Sequence, residues 1–294
     1  MLELPPPERV SRESVTRYFQ EGEQRLKHRS IATLLSSLAE TMIAMHPERD
    51  WQWLRNSSKS FVQSAAGQDA RPIPQLSAQE IFAWAMQRLS FLRDQAKGAV
   101  SAAEMKRLAI EHRQALALAF LASWPVRLRS LLSMTLSYHV QRQKAELVIR
   151  FRAKDMKNRR AAVMSLTGDI VAHFDDYLAI HRPALLDGRT SDALWISERG
   201  NDYGAGSMCK QMANYYRRHF GVGFRIHAMR YVVATSIAET APEKAGIIRD
   251  ILGHSTMRVA ERYYNKAKSR SLSREQSKLV DGDRRHKPRG RKPK

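Results

Sequence analysis

Near its C-terminal end this sequence carries a set of side chains suited to holding an anion and moving protons. His227-Ala228-Met229-Arg230 sets an imidazole and a guanidinium at i and i+3, adjacent on one face of a helix. Leu252-Gly253-His254 places a second imidazole directly after a helix end, and Tyr263 and Tyr264 come nine and ten residues after His254. A guanidinium can hold two phosphate oxygens at once and stays charged at any working pH. Imidazole exchanges a proton near neutrality, and a phenol becomes a nucleophile once its own proton is removed. Each fragment alone is commonplace: His-x-x-Arg is ordinarily surface chemistry, Leu-Gly-His an ordinary helix end, and a tyrosine pair ordinary packing. Their conjunction, in this order and at this spacing, is what points to a site. Zinc held by His227 and His254 is disfavoured, because no third ligand sits nearby and Arg230 would repel the cation.

The elements around these residues follow from periodicity and capping. Met229, Val232, Val233 and Ile237 can anchor the first helix in a core. Thr240-Ala241-Pro242-Glu243 reads as a capping box, opening a second helix with Ile247, Ile248, Ile251 and Leu252 that ends at Gly253. Further upstream, Ser77 opens a helix to about residue 95, and another spans about 102–123 with an apolar half from Ala115 to Ala122. Trp124-Pro125 interrupts it, and a further helix is expected to about Leu136. Glu146 to Arg152 alternates as a strand, Ala161 to Leu166 is its expected partner, and Lys154 to Arg160 forms the polar turn between them. Helices return from residue 168, with a short strand candidate at Ala193–Ile196. The N-terminal part is helical, with helices at 11–22, from an N-cap at Ser30, and at 50–66 with Trp51, Trp53, Leu54 and Phe61. The stretch Gly67–Pro74 reads as a connector. The fold class expected is therefore mainly α with a small antiparallel β-sheet, divided as a helical N-terminal domain (1–74), a catalytic domain (75–268) and a basic tail (269–294). From Arg284 to Lys294, seven of eleven residues are Lys or Arg, a composition that cannot build a core.

Composition narrows the partner. The 294 residues include 50 Lys and Arg against 29 Asp and Glu, a net charge of +21, which attracts polyanions and above all nucleic acid. A hydrophobic content of 43% supports a sizeable core and argues against global disorder. Cys209 is the single cysteine, which excludes an intrachain disulfide framework and a cysteine-based zinc site. The start lacks the basic and apolar regions of a secretory signal, and no apolar run approaches a membrane span. The sequence reads as soluble, cytoplasmic and DNA-associated, with no membrane partner.

His-x-x-Arg, then Leu-Gly-His, then Tyr nine residues on resembles the C-terminal signature of the tyrosine recombinases of the phage integrase type. The resemblance covers roughly residues 78–268 and implies a DNA strand-breaking and rejoining enzyme. The family's first arginine lies in a pattern like Gly-Leu-Arg-Ile-Ser-Glu-Leu. Pro125-Val126-Arg127-Leu128-Arg129-Ser130-Leu131 is similar, which points to Arg127, with Arg129 as the competitor and Ser130 where the family has Glu. The family's lysine sits in the following β-hairpin turn, which points to Lys154, with Lys157 as the runner-up. The resemblance thus implies Tyr263 as nucleophile and Arg127, Lys154, His227, Arg230 and His254 as its catalytic partners. Neighbours on a helix point about 100° apart, so only one of Tyr263 and Tyr264 can face the site; family spacing favours Tyr263. The same resemblance implies double-stranded DNA as substrate, a homo-tetramer on two duplexes passing through a four-way junction, accessory DNA-bending proteins as further partners, and neither metal nor other cofactor in the reaction. The rival readings are a type IB topoisomerase-like enzyme and a DNA-binding regulator on the same fold that no longer cleaves.

Overall fold

The structure is a computed structural model that describes residues 5–68 and 76–241 together with Ile248 and Leu252. The chain divides into two compact units, Met1–Ile73 and Pro74–Lys294.

The first unit is all helical among its described residues: α1 (Pro6–Arg9), α2 (Arg12–Glu23), α3 (His28–Met45) and α4 (Gln52–Gln68). Ser11 opens α2 with a reciprocal capping box. Its hydroxyl accepts from the Ser14 N–H at 3.1 Å, and the Ser14 hydroxyl accepts from the Ser11 N–H at 3.0 Å. Helix α3 begins earlier than its sequence suggests. The Ser30 N–H already bonds the Lys27 carbonyl at 2.8 Å, so Ser30 lies inside the first turn and Lys27 is the N-cap. Val15, Phe19, Ile31, Leu35, Met42, Trp51 and Leu54 close the core of this unit.

The second unit is built around α6 (Ala102–Ser123), whose residues from Leu118 to Leu121 are fully buried. A helix that is apolar all round must be enclosed. It is covered by α5 (Ala78–Lys97), α8 (Asp169–Asp176), the π-helical turn Tyr177–His181, α9 (Arg182–Leu186) and α11 (Ile226–Thr240). Ser77 caps α5 through a capping box with Glu80. The remaining elements are the short α7 (Leu128–Leu132), β1 (Val140–Gln143), β2 (Glu146–Phe151), β3 (Ala162–Leu166) and α10 (Ala205–Phe220). The three strands form one antiparallel sheet in the order β1-β2-β3, with Ile149 opposite both Val140 and Met164. Leu147, Ile149 and Phe151 turn one face of β2 into the core. The protein is thus mainly α with a small antiparallel sheet.

Two further local expectations are corrected, and one strand was not anticipated. Helix α7 stops at Leu132 instead of reaching Leu136, because the following backbone pairs elsewhere. Leu194 N–H bonds the Met134 carbonyl and Leu136 N–H bonds the Asp192 carbonyl, both at 2.8 Å. The segment Ala193–Ile196 makes only the isolated bridges Thr135↔Ala193 and Ile196↔Asp202, not a strand. Its carbonyls are satisfied by side chains: Arg182 on Ala193, the Tyr177 hydroxyl on Leu194 and Arg113 on Ile196. Strand β1 has no apolar alternation to announce it; the Arg142 guanidinium holds the Lys144 and Glu146 carbonyls of the turn that pairs it with β2. No helix among the described residues is long and apolar enough to cross a membrane.

Candidate active site

Of the six candidate catalytic residues, Arg127, Lys154, His227 and Arg230 lie among the described residues. His254 and Tyr263 lie outside them, as do Tyr264, most of the helix expected after Thr240-Ala241-Pro242-Glu243, and the basic tail.

Arg127 is the N-cap of α7. Pro125 ends α6, leaving Arg127 with extended backbone (φ −72°, ψ 149°) before the chain turns into the next helix. Its side chain is half-buried, whereas that of Arg129 is exposed. Lys154 occupies the 3-10 turn Ala153–Asp155 between β2 and β3, exposed like Lys157. His227 is the second residue of α11 and is exposed. Arg230, on the inward face of the same helix, is 6% exposed. Met229, Val232 and Val233 hold that helix in the core, as its sequence pattern requires.

Backbone contacts draw these elements together. Arg230 donates from Nη1 to the Pro125 carbonyl at 2.6 Å and from Nη2 to the Leu252 carbonyl. One buried guanidinium thereby grips the turn that presents Arg127 and the chain two residues before His254. Ile248 and Leu252 are buried against Ala234 and Ala238 of α11, which supports the same grip from the apolar side. The Lys154 turn is tied to α7 by Ser130, whose hydroxyl donates to the Asp155 carbonyl at 2.9 Å. Ser130 is 3% exposed, so this bond is shielded from water.

Asp155 organises the turn further, and its sequence position alone does not single it out. Its carboxylate accepts from the Arg152 backbone N–H at 3.0 Å, from Arg152 Nε at 3.1 Å and from His139 Nε2 at 3.3 Å. His139 is buried, and its Nδ1 accepts from the Thr135 N–H at 3.0 Å. That acceptor role leaves the ring proton on Nε2, aimed at Asp155. Burial pushes the Asp155 carboxyl up, but the hydrogen bonds from Arg152 and His139 outweigh it and hold the group below the ordinary aspartate value. The signal in the sequence is local: Asp155 adjoins Lys154, and Ser130 lies in the first turn of the helix that Arg127 caps. None of the candidate catalytic residues belongs to the grouping of His112, His173 and Asp176, the one with metal-ligand spacing among the described residues.

The second unit is thus a mainly α domain with a small antiparallel sheet that carries Arg127, Lys154 and His227-x-x-Arg230 in this order, with Arg230 buried. Residues 90–270 match the phage integrase family, and the chain belongs to it. Comparison with curated proteins finds no match. Among solved structures, the chain is similar to XerA recombinase, at 17% identity over 97% of this chain and 95% of that one, with a TM-score of 0.45. It is also similar to XerH site-specific recombinase bound to difH substrate in a pre-cleavage complex, at 14% identity and a TM-score of 0.46. That match covers 66% of this chain and about half of the other, 51%. A lambda integrase dimer bound to a COC′ core site is similar at 13% identity, over 87% of this chain and 72% of that one, with a TM-score of 0.38.

Proposed function

We propose that this protein is a site-specific DNA recombinase that cleaves and rejoins strands through a covalent 3′-phosphotyrosine link to Tyr263. The observation that carries the reading is the Arg230 grip on the Pro125 and Leu252 carbonyls, which fixes the guanidinium before any substrate arrives. Preorganised cations stabilise a transition state without the cost of reorganising solvent.

The steps follow from the residue chemistry. About one phenol in a thousand is ionised at pH 7 at the reference pKa near 10, so His227 accepts the Tyr263 proton as the phenol oxygen attacks phosphorus. Arg127 and Arg230 hold the non-bridging oxygens, with His254 as a third donor. The Tyr263 oxygen–phosphorus bond forms, the bond from phosphorus to the 5′ oxygen breaks, and Lys154 delivers a proton to that oxygen. Religation reverses each transfer and restores both protonation states. The phosphodiester energy is conserved in the phosphotyrosine, so the cycle uses neither ATP nor a metal ion. Double-stranded DNA would be drawn in by the charge of +21, with the helical domain 1–74 and the catalytic domain 75–268 each contributing contacts to it. Four protomers would act on two duplexes through a four-way junction, with accessory bending proteins where the DNA site demands them.

The test is an adduct assay in EDTA on a duplex from the borders of the protein's own genetic element, nicked beside the junction so that cleavage cannot reverse. A protein–DNA adduct resistant to SDS, present in wild type and Tyr264→Phe and absent in Tyr263→Phe, is the expected result. Salt-sensitive binding to that duplex without an adduct in wild type would sink the cleavage reading and favour a DNA-binding regulator.

A further inference from the structure

Inside the second unit, three buried histidines meet where α6, α8 and the π-helical turn pack together. His112 and His181 are 0% exposed and His173 is 1% exposed. The rings of His112 and His181 stack with centroids 3.9 Å apart, and the His173 ring centroid lies 6.1 Å from that of His112. Both nitrogens of His112, both nitrogens of His181 and Nδ1 of His173 are buried without a hydrogen-bond partner. His173 Nε2 has only the Ser90 hydroxyl, at 3.5 Å. Buried polar atoms are nearly always paired, so five orphaned imidazole nitrogens in one cluster require an explanation.

The backbone is shaped to produce this meeting. The Arg182 N–H bonds the Tyr177 carbonyl, an i→i+5 bond that inserts a π turn after α8. Such turns are rare and recur at functional sites. His181 closes this turn against His112, while His173 and Asp176 stand three residues apart on α8, on one face.

We infer that His112, His173 and Asp176 form a binding site for one divalent first-row transition metal ion, with His181 the further imidazole available as fourth ligand. One ligand atom from each of His112, His173 and Asp176 lies within 4.8 Å of the others. Tetrahedral zinc with bonds of about 2.0–2.1 Å sets its ligand atoms about 3.4 Å apart, so side-chain rotations that draw the three inward complete the geometry. Imidazole with one carboxylate selects Zn2+, Co2+, Ni2+ or Cu2+ over Mg2+ and Ca2+, which prefer all-oxygen shells. Burial first, then the charges of the neighbouring histidines and Arg93, drives the His112 pKa well below its ordinary value. Burial pushes His181 down to about 4. The rings are therefore neutral at pH 7, the state that ligates metal without first losing a proton. Arg93 Nε holds the Oδ2 atom of Asp176, the same oxygen that lies 3.8 Å from His173 Nδ1, so the hydrogen bond that orients the carboxylate also keeps it beside the histidines. A site this deep admits no substrate. Its ion would pin α6 to α8 and to the π turn, upstream of the Trp124-Pro125 break that presents Arg127. Such a site is independent of the recombinase chemistry.

The full-length protein, stripped with EDTA and exchanged into metal-free buffer, is titrated with Co2+ and then Zn2+. The expected result is uptake of one equivalent with the visible ligand-field absorption of four-coordinate Co2+, bleached by one equivalent of Zn2+. Zinc at a hundredfold excess over its Kd should also raise the thermal midpoint by about 5 °C or more. His173→Leu and Asp176→Asn should each abolish the absorption, and Cys209→Ser, which alters the exposed thiol, should leave it intact. Should the leucine variant fail to fold, Asp176→Asn decides, since that side chain is 21% exposed and its shape is kept. Wild type without saturable one-equivalent uptake, or Asp176→Asn with undiminished absorption, overturns the site.

Discussion

Replacing Asp155 by alanine tests whether its carboxylate holds the Lys154 turn in place. The His139 N–H would be left buried with no acceptor, at a cost of about 1–3 kcal/mol for a group 1% exposed. The pair with Arg152, whose side chain is 41% exposed, adds at most about 1 kcal/mol because water screens it. Solvent partly replaces the carboxylate as acceptor for the Arg152 backbone N–H, so Asp155→Ala should destabilise by about 2–4 kcal/mol. Asp155→Asn keeps an acceptor oxygen and should cost about half of that. The carboxyl is held below its unfolded value, so its contribution is present above about pH 4 and is lost as pH falls through the lower folded pKa. Wild type and Asp155→Asn should therefore converge in strong acid, whereas Asp155→Ala, which offers the His139 N–H no acceptor at any pH, should stay the least stable. Urea unfolding at several pH values measures the stability, and single-turnover adduct formation on the nicked duplex measures cleavage. With both variants folded, cleavage by Asp155→Ala should fall about ten- to a hundredfold through misplacement of Lys154, while DNA affinity changes by less than about twofold. A stability change under about 0.5 kcal/mol, or unaltered cleavage, would refute the claim that Asp155 positions this turn.

Arg230→Ala leaves the Pro125 and Leu252 carbonyls without their donor and should lower stability by about 3 kcal/mol; Arg230→Lys cannot bridge both and should fall between, as read by urea midpoint. In metal-free protein, His112, His173 and His181 have folded pKa values below their unfolded value near 6.5, with burial the first cause. Arg93 also lowers His112 and His173, while Asp176 opposes the shift at His173 and His181. The stability they preserve is full above pH 6.5 and declines as pH falls toward about 4, by about 3 kcal/mol for His181 alone; a flat urea midpoint between pH 6.5 and 4.5 would contradict it. Deleting residues 284–294 should flatten the salt dependence of DNA binding, by a log–log slope of about 0.9 for each phosphate the tail no longer neutralises, measured by anisotropy across a salt series.

What could be read in advance was what the chain decides locally. Ser77 opens the helix that follows it, Pro125 must break the helix before it, and the run from Ala115 to Ala122 can only be enclosed. The end of α7 was not legible, because its backbone is claimed by residues 192–194, far along the chain, and serine, methionine and threonine at 133–135 have no strong preference to resist. The π turn was equally hidden, since an i→i+5 bond leaves no periodic mark. In the candidate site the residue types and their order were readable, but their attachments were not. Arg230 takes the carbonyls of Pro125 and Leu252, and a carbonyl carries no sequence signature. The position of Ser130 shows why a departure from a pattern need not be a loss. A glutamate there would bring its own carboxylate from the helix; serine instead donates to the Asp155 carbonyl, and the carboxylate in this region comes from the turn itself. The turn bearing Lys154 and the helix bearing Arg127 are joined either way. Here, however, the charge that orders the turn moves with the turn, so a change at Asp155 should disturb Lys154 before it disturbs Arg127.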